Sequence, residues 1–230
     1  MLIRLLKTYD FLSAVLIIIG FVLAMCISLG VHEFLHAFVA YKNGDPTAKV
    51  MGRMTINPFA HLDPIGFIML LLFGFGWAKP VPVNEMNFTH GKRSYFAVAV
   101  AGVIGNLILG VLFSLIYAVL YIFVPAFADG STMIWMLLNI FLYYGMTINF
   151  VLAFFNLLPF YPLDGFRVVE TFSSPNNSYV TFMRQYGIVV FIVLLVTNVM
   201  ELYLNYTAYA LQSGILDLWV IIFRLFGANI

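Results

Sequence analysis

The chain is predicted to be an all-α polytopic membrane protein, with about five to six transmembrane helices and a short re-entrant or β-like insertion after the first. Two observations carry this reading. Hydrophobic residues make up 63% of the 230 positions and charged residues 9%, and the mean hydropathy is +1.01. Those values exclude an ordinary soluble domain. In addition, Phe11–His32, Ser94–Ala128 and Gly130–Leu163 contain no Asp, Glu, Lys or Arg, and each is long enough to span a bilayer. A net charge of +1 makes no electrostatic case for nucleic acid. The single cysteine, Cys26, excludes an internal disulfide framework.

The first helix is expected over about Phe11–Tyr41, closed by Lys42-Asn43-Gly44-Asp45-Pro46. Arg4 and Lys7 before an apolar run resemble a signal peptide, but no small-residue cleavage site follows, so the segment is read as a retained helix. Residues 47–63 are mixed, with a β-like stretch at Lys49–Ile56. Pro64–Ala78 is apolar for only 15 residues and contains Gly66, Gly74 and Gly76, which suits a re-entrant or tilted segment. Trp77–Asn84 is too proline-rich for a helix and reads as an edge strand. Two full spans follow, over 94–128 and 130–163, joined by a tight turn at Pro125–Ser131. A fifth is placed at Tyr186–Leu202, and a last at about Ile215–Phe226, interrupted by Asp217 and Arg224. No repeat or separate soluble domain is visible. Residues 1–230 read as one membrane-embedded domain, its core at about 11–167 and additional helices at about 180–230.

His32-Glu33-Phe34-Leu35-His36 is the most informative stretch, because it lies within the first apolar helix. Four residues apart on a helix, His32 and His36 share one face and can bind one zinc ion, and Glu33 is angled toward a water on that metal. The alternative is a pair of histidines hydrogen-bonded inside a bundle. Against it stands Glu33, since an unpaired carboxylate in hydrocarbon costs roughly 2.5–3.5 kcal/mol on insertion scales. A catalytic zinc needs a third protein ligand. Asp164, in Asn156-Leu157-Leu158-Pro159-Phe160-Tyr161-Pro162-Leu163-Asp164-Gly165, is the best candidate, because the prolines break the helix and Gly165 permits a turn back toward the bundle. On these residues alone, a loop Asp facing water is an equal reading. His61 is weighed as a ligand, a water gate or a loop cap, with the cap preferred; His90, beside Lys92 and Arg93, reads as surface.

These motifs together resemble the site-2 protease family of intramembrane zinc metalloproteases, in its compact branch without accessory domains. The resemblance rests on His32-Glu33-x-x-His36-Ala37, Gly44-Asp45, Asn57-Pro58-x-x-His61-x-Asp63-Pro64-x-Gly66, Gly76-Trp77-Ala78-Lys79-Pro80-Val81-Pro82 and Asn156-x-x-Pro159 leading to Asp164-Gly165, which cover residues 30–167. It implies one Zn2+ per chain held by His32, His36 and Asp164, Glu33 as general base, and membrane-protein substrates cut in or near their transmembrane segments. Where the family often has Gly-Pro-x-x-Asn, this chain has Gly102-Val103-Ile104-Gly105-Asn106. Asn106 is therefore carried both as a substrate or transition-state contact and as part of a packing face with Gly102 and Gly110.

Lys42, Lys49, Arg53, Lys79, Lys92 and Arg93 lie between the first helix and Ser94, whereas residues 126–132 hold no Lys or Arg. The active site is thus expected toward the cytoplasmic side of a cell (plasma or inner) membrane. Arg4 and Lys7 argue the other way, but His32, His36 and Asp164 can meet only if the first helix also ends on that side. An exposed strand at Lys49–Ile56 or Lys79–Val83 is expected to hold substrate by β-addition. A metal transporter and an inactive membrane scaffold are the competing functions. Transport would favour further intramembrane ligands, of which only Asp217 is a candidate, and a scaffold has no need of Glu33.

Overall fold

A computed structural model describes residues 7–73, 76–174 and 176–227. Arg4 and Gly74, named above, lie outside them. The described chain is helical: α1 (Phe11–Lys42), α2 (Thr47–Val50), α3 (Pro64–Phe73), α4 (Lys92–Phe123), α5 (Pro125–Ala128), α6 (Met133–Asn156), α7 (Asp164–Phe172), α8 (Ser178–Val196) and α9 (Val199–Leu225). Among the described residues, α1, α4, α6, α8 and α9 are long and apolar enough to cross a membrane.

Helix α1 starts where Asp10 accepts the Ser13 N–H and ends at Asn43, followed by Gly44 at φ 100°. Its 32 residues, like those of α4, make a rod about 48 Å long, longer than a hydrocarbon core of about 30 Å. Helices α1, α4 and α6 pack mutually as a three-helix core. Small residues set the approach: a Cβ on Gly110 would strike Phe150, and one on Gly145 would strike Phe113. Those two rings sit with Phe127, Leu142 and Met146 in the main apolar cluster. Outside, Ile19, Leu23, Ile108, Leu112 and Ile116 are exposed, as lipid-facing positions should be.

The insertion between α1 and α4 departs from the β-like expectation, for no strand occurs among the described residues. Thr47–Val50 is a helical turn, because the Asp45 carboxylate takes the Thr47 N–H and hydroxyl and so offers the backbone a local alternative to extension. Pro80 and Pro82 cannot donate, and the pairing of the next segment shrinks to one isolated bridge, Leu62 with Ala78. That bridge, and the backbone contact of Gly66 with Trp77 that any Cβ would block, bring the chain back after α3 to where it left.

The C-terminal boundaries also differ from expectation. A span at 186–202 would cross a break at Thr197-Asn198, where Asn198 adopts φ 58°, a conformation Asn tolerates and most residues avoid. Helix α9 is continuous through Glu201, Asn205 and Gln212, and through Asp217 and Arg224, which interrupt the apolar stretch expected at about Ile215–Phe226. It runs along the core, from the Tyr203 hydroxyl on Phe154 O to the Phe223 ring on Phe123. Helix α8 instead packs over the end of α6, with Gly187 on Tyr161 and Phe191 on Phe155. The short amphipathic α7, unanticipated in the sequence, lies against α4.

Candidate metal centre

His32 and His36 occupy successive turns of α1, facing α4. Their Nε2 atoms are 3.0 Å apart. Asp164 Oδ2 lies 3.0 Å from His36 Nε2 and 3.2 Å from His32 Nε2. Three atoms at such spacing surround a point about 2 Å from each, the reach of a metal–ligand bond. All three residues are buried. Each imidazole is anchored by its other nitrogen: His36 Nδ1 donates to Val98 O at 2.8 Å, and His32 Nδ1 meets Asn106 Oδ1 at 2.6 Å. Both Nε2 lone pairs are thereby turned inward, as a metal requires. The residues therefore fit a zinc ion.

Asp164 is delivered by close backbone packing. It is the first residue of α7, and a Cβ on the following Gly165 would collide with the carbonyl oxygens of Leu157 and Leu158 at the end of α6. Only glycine lets the two helix ends come so near. Gly102 plays the matching part on α4, where a Cβ would strike both imidazoles.

Glu33 is buried beside the histidines, and its Oε2 accepts the Val81 N–H at 2.8 Å. That segment is tied down on every side: Lys79 N donates to His61 O, and the Arg53 guanidinium donates to Lys79 O and Pro80 O. Lys79 N and O, Pro80 O and Val81 N are thus occupied, and Lys79–Val81 braces Glu33. His61 is buried, bonds Thr55 O at 2.8 Å and ends the turn Pro58–Ala60, outside the ligand cluster. His90 is exposed.

Asn106 is fully buried, with Oδ1 on His32 and Nδ2 on Asn149 Oδ1 (2.7 Å) and Ser28 O (3.4 Å). Its donors face the helix core, which agrees with the packing reading, and its oxygen adds a contact to a candidate ligand. Asn149 and Ser28 were missed in the sequence. The available signal was a polar residue inside an apolar helix, which is costly unless partnered.

A cavity of about 820 Å³ opens beside His32 and Glu33. Leu152, Phe155, Ile188 and Phe191 give it an apolar wall, and Arg167 and Arg184 line a polar end. There Glu170 accepts from Tyr95 Oη at 2.8 Å and from Arg184 Nε at 2.7 Å. Among the described residues, His32, His36 and Asp164 form the sole cluster able to hold a metal ion.

Residues 123–197 match the model of peptidase family M50, a stretch that includes Asp164 but not the two histidines. The chain is 38% identical over 208 residues to the Bacillus subtilis protein named "Putative zinc metalloprotease YwhC", covering 88% of this chain and 92% of that one. The chain belongs to peptidase family M50. More distant members carry the same description under the name Rip2. That of Mycolicibacterium smegmatis is 28% identical over 189 residues (80% of this chain, 67% of the relative), and that of Mycobacterium tuberculosis H37Rv is 30% identical over 169 (71% and 59%). No solved structure matches the chain. Family membership supports a zinc metalloprotease function, and with the apolar helices it marks the chain as an integral membrane protein.

Proposed function

We propose that this protein is an intramembrane zinc metalloprotease that hydrolyses peptide bonds in or near the transmembrane segments of membrane-protein substrates. The observation that carries the reading is the convergence of His32 Nε2, His36 Nε2 and Asp164 Oδ2 inside the apolar three-helix core, with Glu33 at the mouth of a cavity. In the proposal these three residues hold one Zn2+ per chain. Bound there, zinc acidifies water and polarises a scissile carbonyl. Glu33, held by Val81 N–H, takes the proton of the attacking water and returns it to the leaving amine. The apolar wall at Phe155, Ile188 and Phe191 suits an apolar peptide, which must first leave its own helical hydrogen bonds to be attacked. Asn106 holds His32 in this scheme and gives no donor to an oxyanion.

The site end of the bundle is assigned to the cytoplasmic side of the cell membrane, because Lys42, Lys49, Arg53, Lys79, Lys92 and Arg93 gather there. The bond from Thr89 N to Asn43 O supports one side for the end of α1 and the start of α4. On that topology α3 dips in and returns. The test is Glu33→Gln in purified full-length protein. Zinc content should stay near one ion per chain while cleavage of a transmembrane substrate is lost, since the amide cannot accept the water's proton. Substantial residual cleavage by this variant would sink the mechanism.

A further inference from the structure

Behind the two histidines, a chain of four fully or almost fully buried polar side chains crosses the three core helices: His32 and Ser28 on α1, Asn106 on α4 and Asn149 on α6. The contacts run His32 Nδ1 to Asn106 Oδ1 (2.6 Å), Asn106 Nδ2 to Asn149 Oδ1 (2.7 Å), Asn149 Nδ2 to Ser28 Oγ (2.7 Å) and Ser28 Oγ to Ala24 O (2.7 Å). An amide can face either way, and a hydroxyl or imidazole can donate or accept, so this chain has in principle two opposite proton polarities.

Backbone carbonyls remove the choice, because they only accept. Gly145 O lies 2.7 Å from Asn149 Nδ2, so that end of the Asn149 side chain must be the NH2 group. Ser28 spends its proton on Ala24 O and can only accept from Asn149. Asn149 then presents Oδ1 to Asn106, which must answer with Nδ2. Ser28 O, 3.4 Å from that Nδ2, agrees. Asn106 is left with Oδ1 toward His32, and His32 must carry its proton on Nδ1. The Nε2 lone pair then points at His36 and Asp164.

We infer that Asn149, braced by Ser28 and Gly145 O, is a positioning residue: it orients the Asn106 amide and so locks His32 in the Nδ1–H tautomer that binds metal through Nε2. The inference rests on the zinc-site reading above and adds residues remote from the ligands to it. Loss of Asn149 frees the Asn106 amide to turn and donate to His32 Nδ1. That tautomer places a proton on Nε2, where the ion belongs.

The experiment measures zinc affinity of the detergent-purified full chain by chelator competition. Asn149→Leu should weaken zinc about 10-fold or more, the scale on which outer-shell partners act. The decisive background is Asn106→Asp. With a carboxyl at 106 either oxygen can accept from His32 Nδ1–H, and no amide remains for Asn149 to orient. Whatever zinc affinity Asn106→Asp itself shows, adding Asn149→Leu to it should therefore cost almost nothing or restore some, because Asn149 Oδ1 then no longer faces a carboxylate oxygen. An equal loss in both backgrounds means Asn149 only packs, and no loss in the wild-type background means it does nothing; either overturns the inference. A wild-type chain that binds no zinc defeats the metal-site reading instead. Should Asn149→Leu fail to fold, nitrogen-15 histidine spectra of the zinc-loaded wild type decide. With only four histidines in the chain, His61→Gln and His90→Gln simplify assignment. His32 must show a protonated Nδ1 and a metal-bound Nε2, and the reverse pattern refutes the relay.

Discussion

Gly102→Ala tests how tightly the metal centre is built. On helix propensity alone the change should help, by about 1 kcal/mol within α4. The site makes it harmful. An alanine Cβ at 102 would sit 2.5 Å from His36 Nε2 and as close to the His32 ring, whereas ordinary contact begins near 3.4 Å. An imidazole must retreat by about 0.9 Å, several times the roughly 0.2 Å tolerance of a metal–ligand distance. Neither ring can swing freely, since Val98 O and Asn106 hold the two Nδ1 atoms. Zinc affinity should therefore fall at least about 10-fold. The assay is chelator competition beside a melting curve in detergent, with Gly214→Ala as control. Nothing lies within 4 Å of a Cβ at Gly214, so that variant should keep its zinc and gain about 0.5–1 kcal/mol. If Gly102→Ala binds zinc within about threefold of wild type, less than 1 kcal/mol, the steric reasoning is refuted.

Asp164→Ala should abolish stoichiometric zinc, while His61→Ala should retain it and lose about 1–2 kcal/mol of stability with its bond to Thr55 O; zinc analysis showing the reverse would move the third ligand to His61. Burial pushes the Asp45 carboxyl up, but bonds from Thr47, Asn87 and the Asn84 N–H more than offset this and hold it below the usual carboxylate range. A lowered folded pKa means stability that is present at neutral pH and lost as pH falls through that pKa. Melting curves of Asp45→Asn should thus lie below wild type at pH 7 and converge with it in acid; a constant gap would exclude the ionised bond network. After Cys26→Ser, single cysteines from Thr47→Cys and Asn87→Cys should label from one membrane face and Gly130→Cys from the other, whereas labelling of Thr47→Cys with Gly130→Cys would make α3 a true crossing.

Much of the architecture was legible because hydrocarbon imposes one rule on the backbone: every amide must be satisfied within its own segment. Uncharged runs therefore announced α1, α4 and α6, although the expected spans 94–128 and 130–163 run past the helix ends at Phe123 and Asn156. The polar His32-Glu33-x-x-His36 at the end of such a run marked the candidate site. Where polar residues reappear, that rule relaxes and the pattern loses its meaning. Asn198 in its left-handed conformation, not any loss of apolarity, separates α8 from α9, and the one-turn helix at Thr47–Val50 owes its form to a neighbouring carboxylate.

The sequence by itself determined which side chains could meet zinc, since two histidines one turn apart are paired by helix geometry alone. Tertiary structure decided everything that depends on groups distant along the chain. It set Asp164 beside the histidines through the backbone approach at Gly165, gave Glu33 its anchor from Val81 N–H, and turned the donors of Asn106 inward to Asn149 and Ser28. Carbonyl and amide groups carry no sequence signature, so contacts with Val98 O, Val81 N or Gly145 O exist only once the helices have packed.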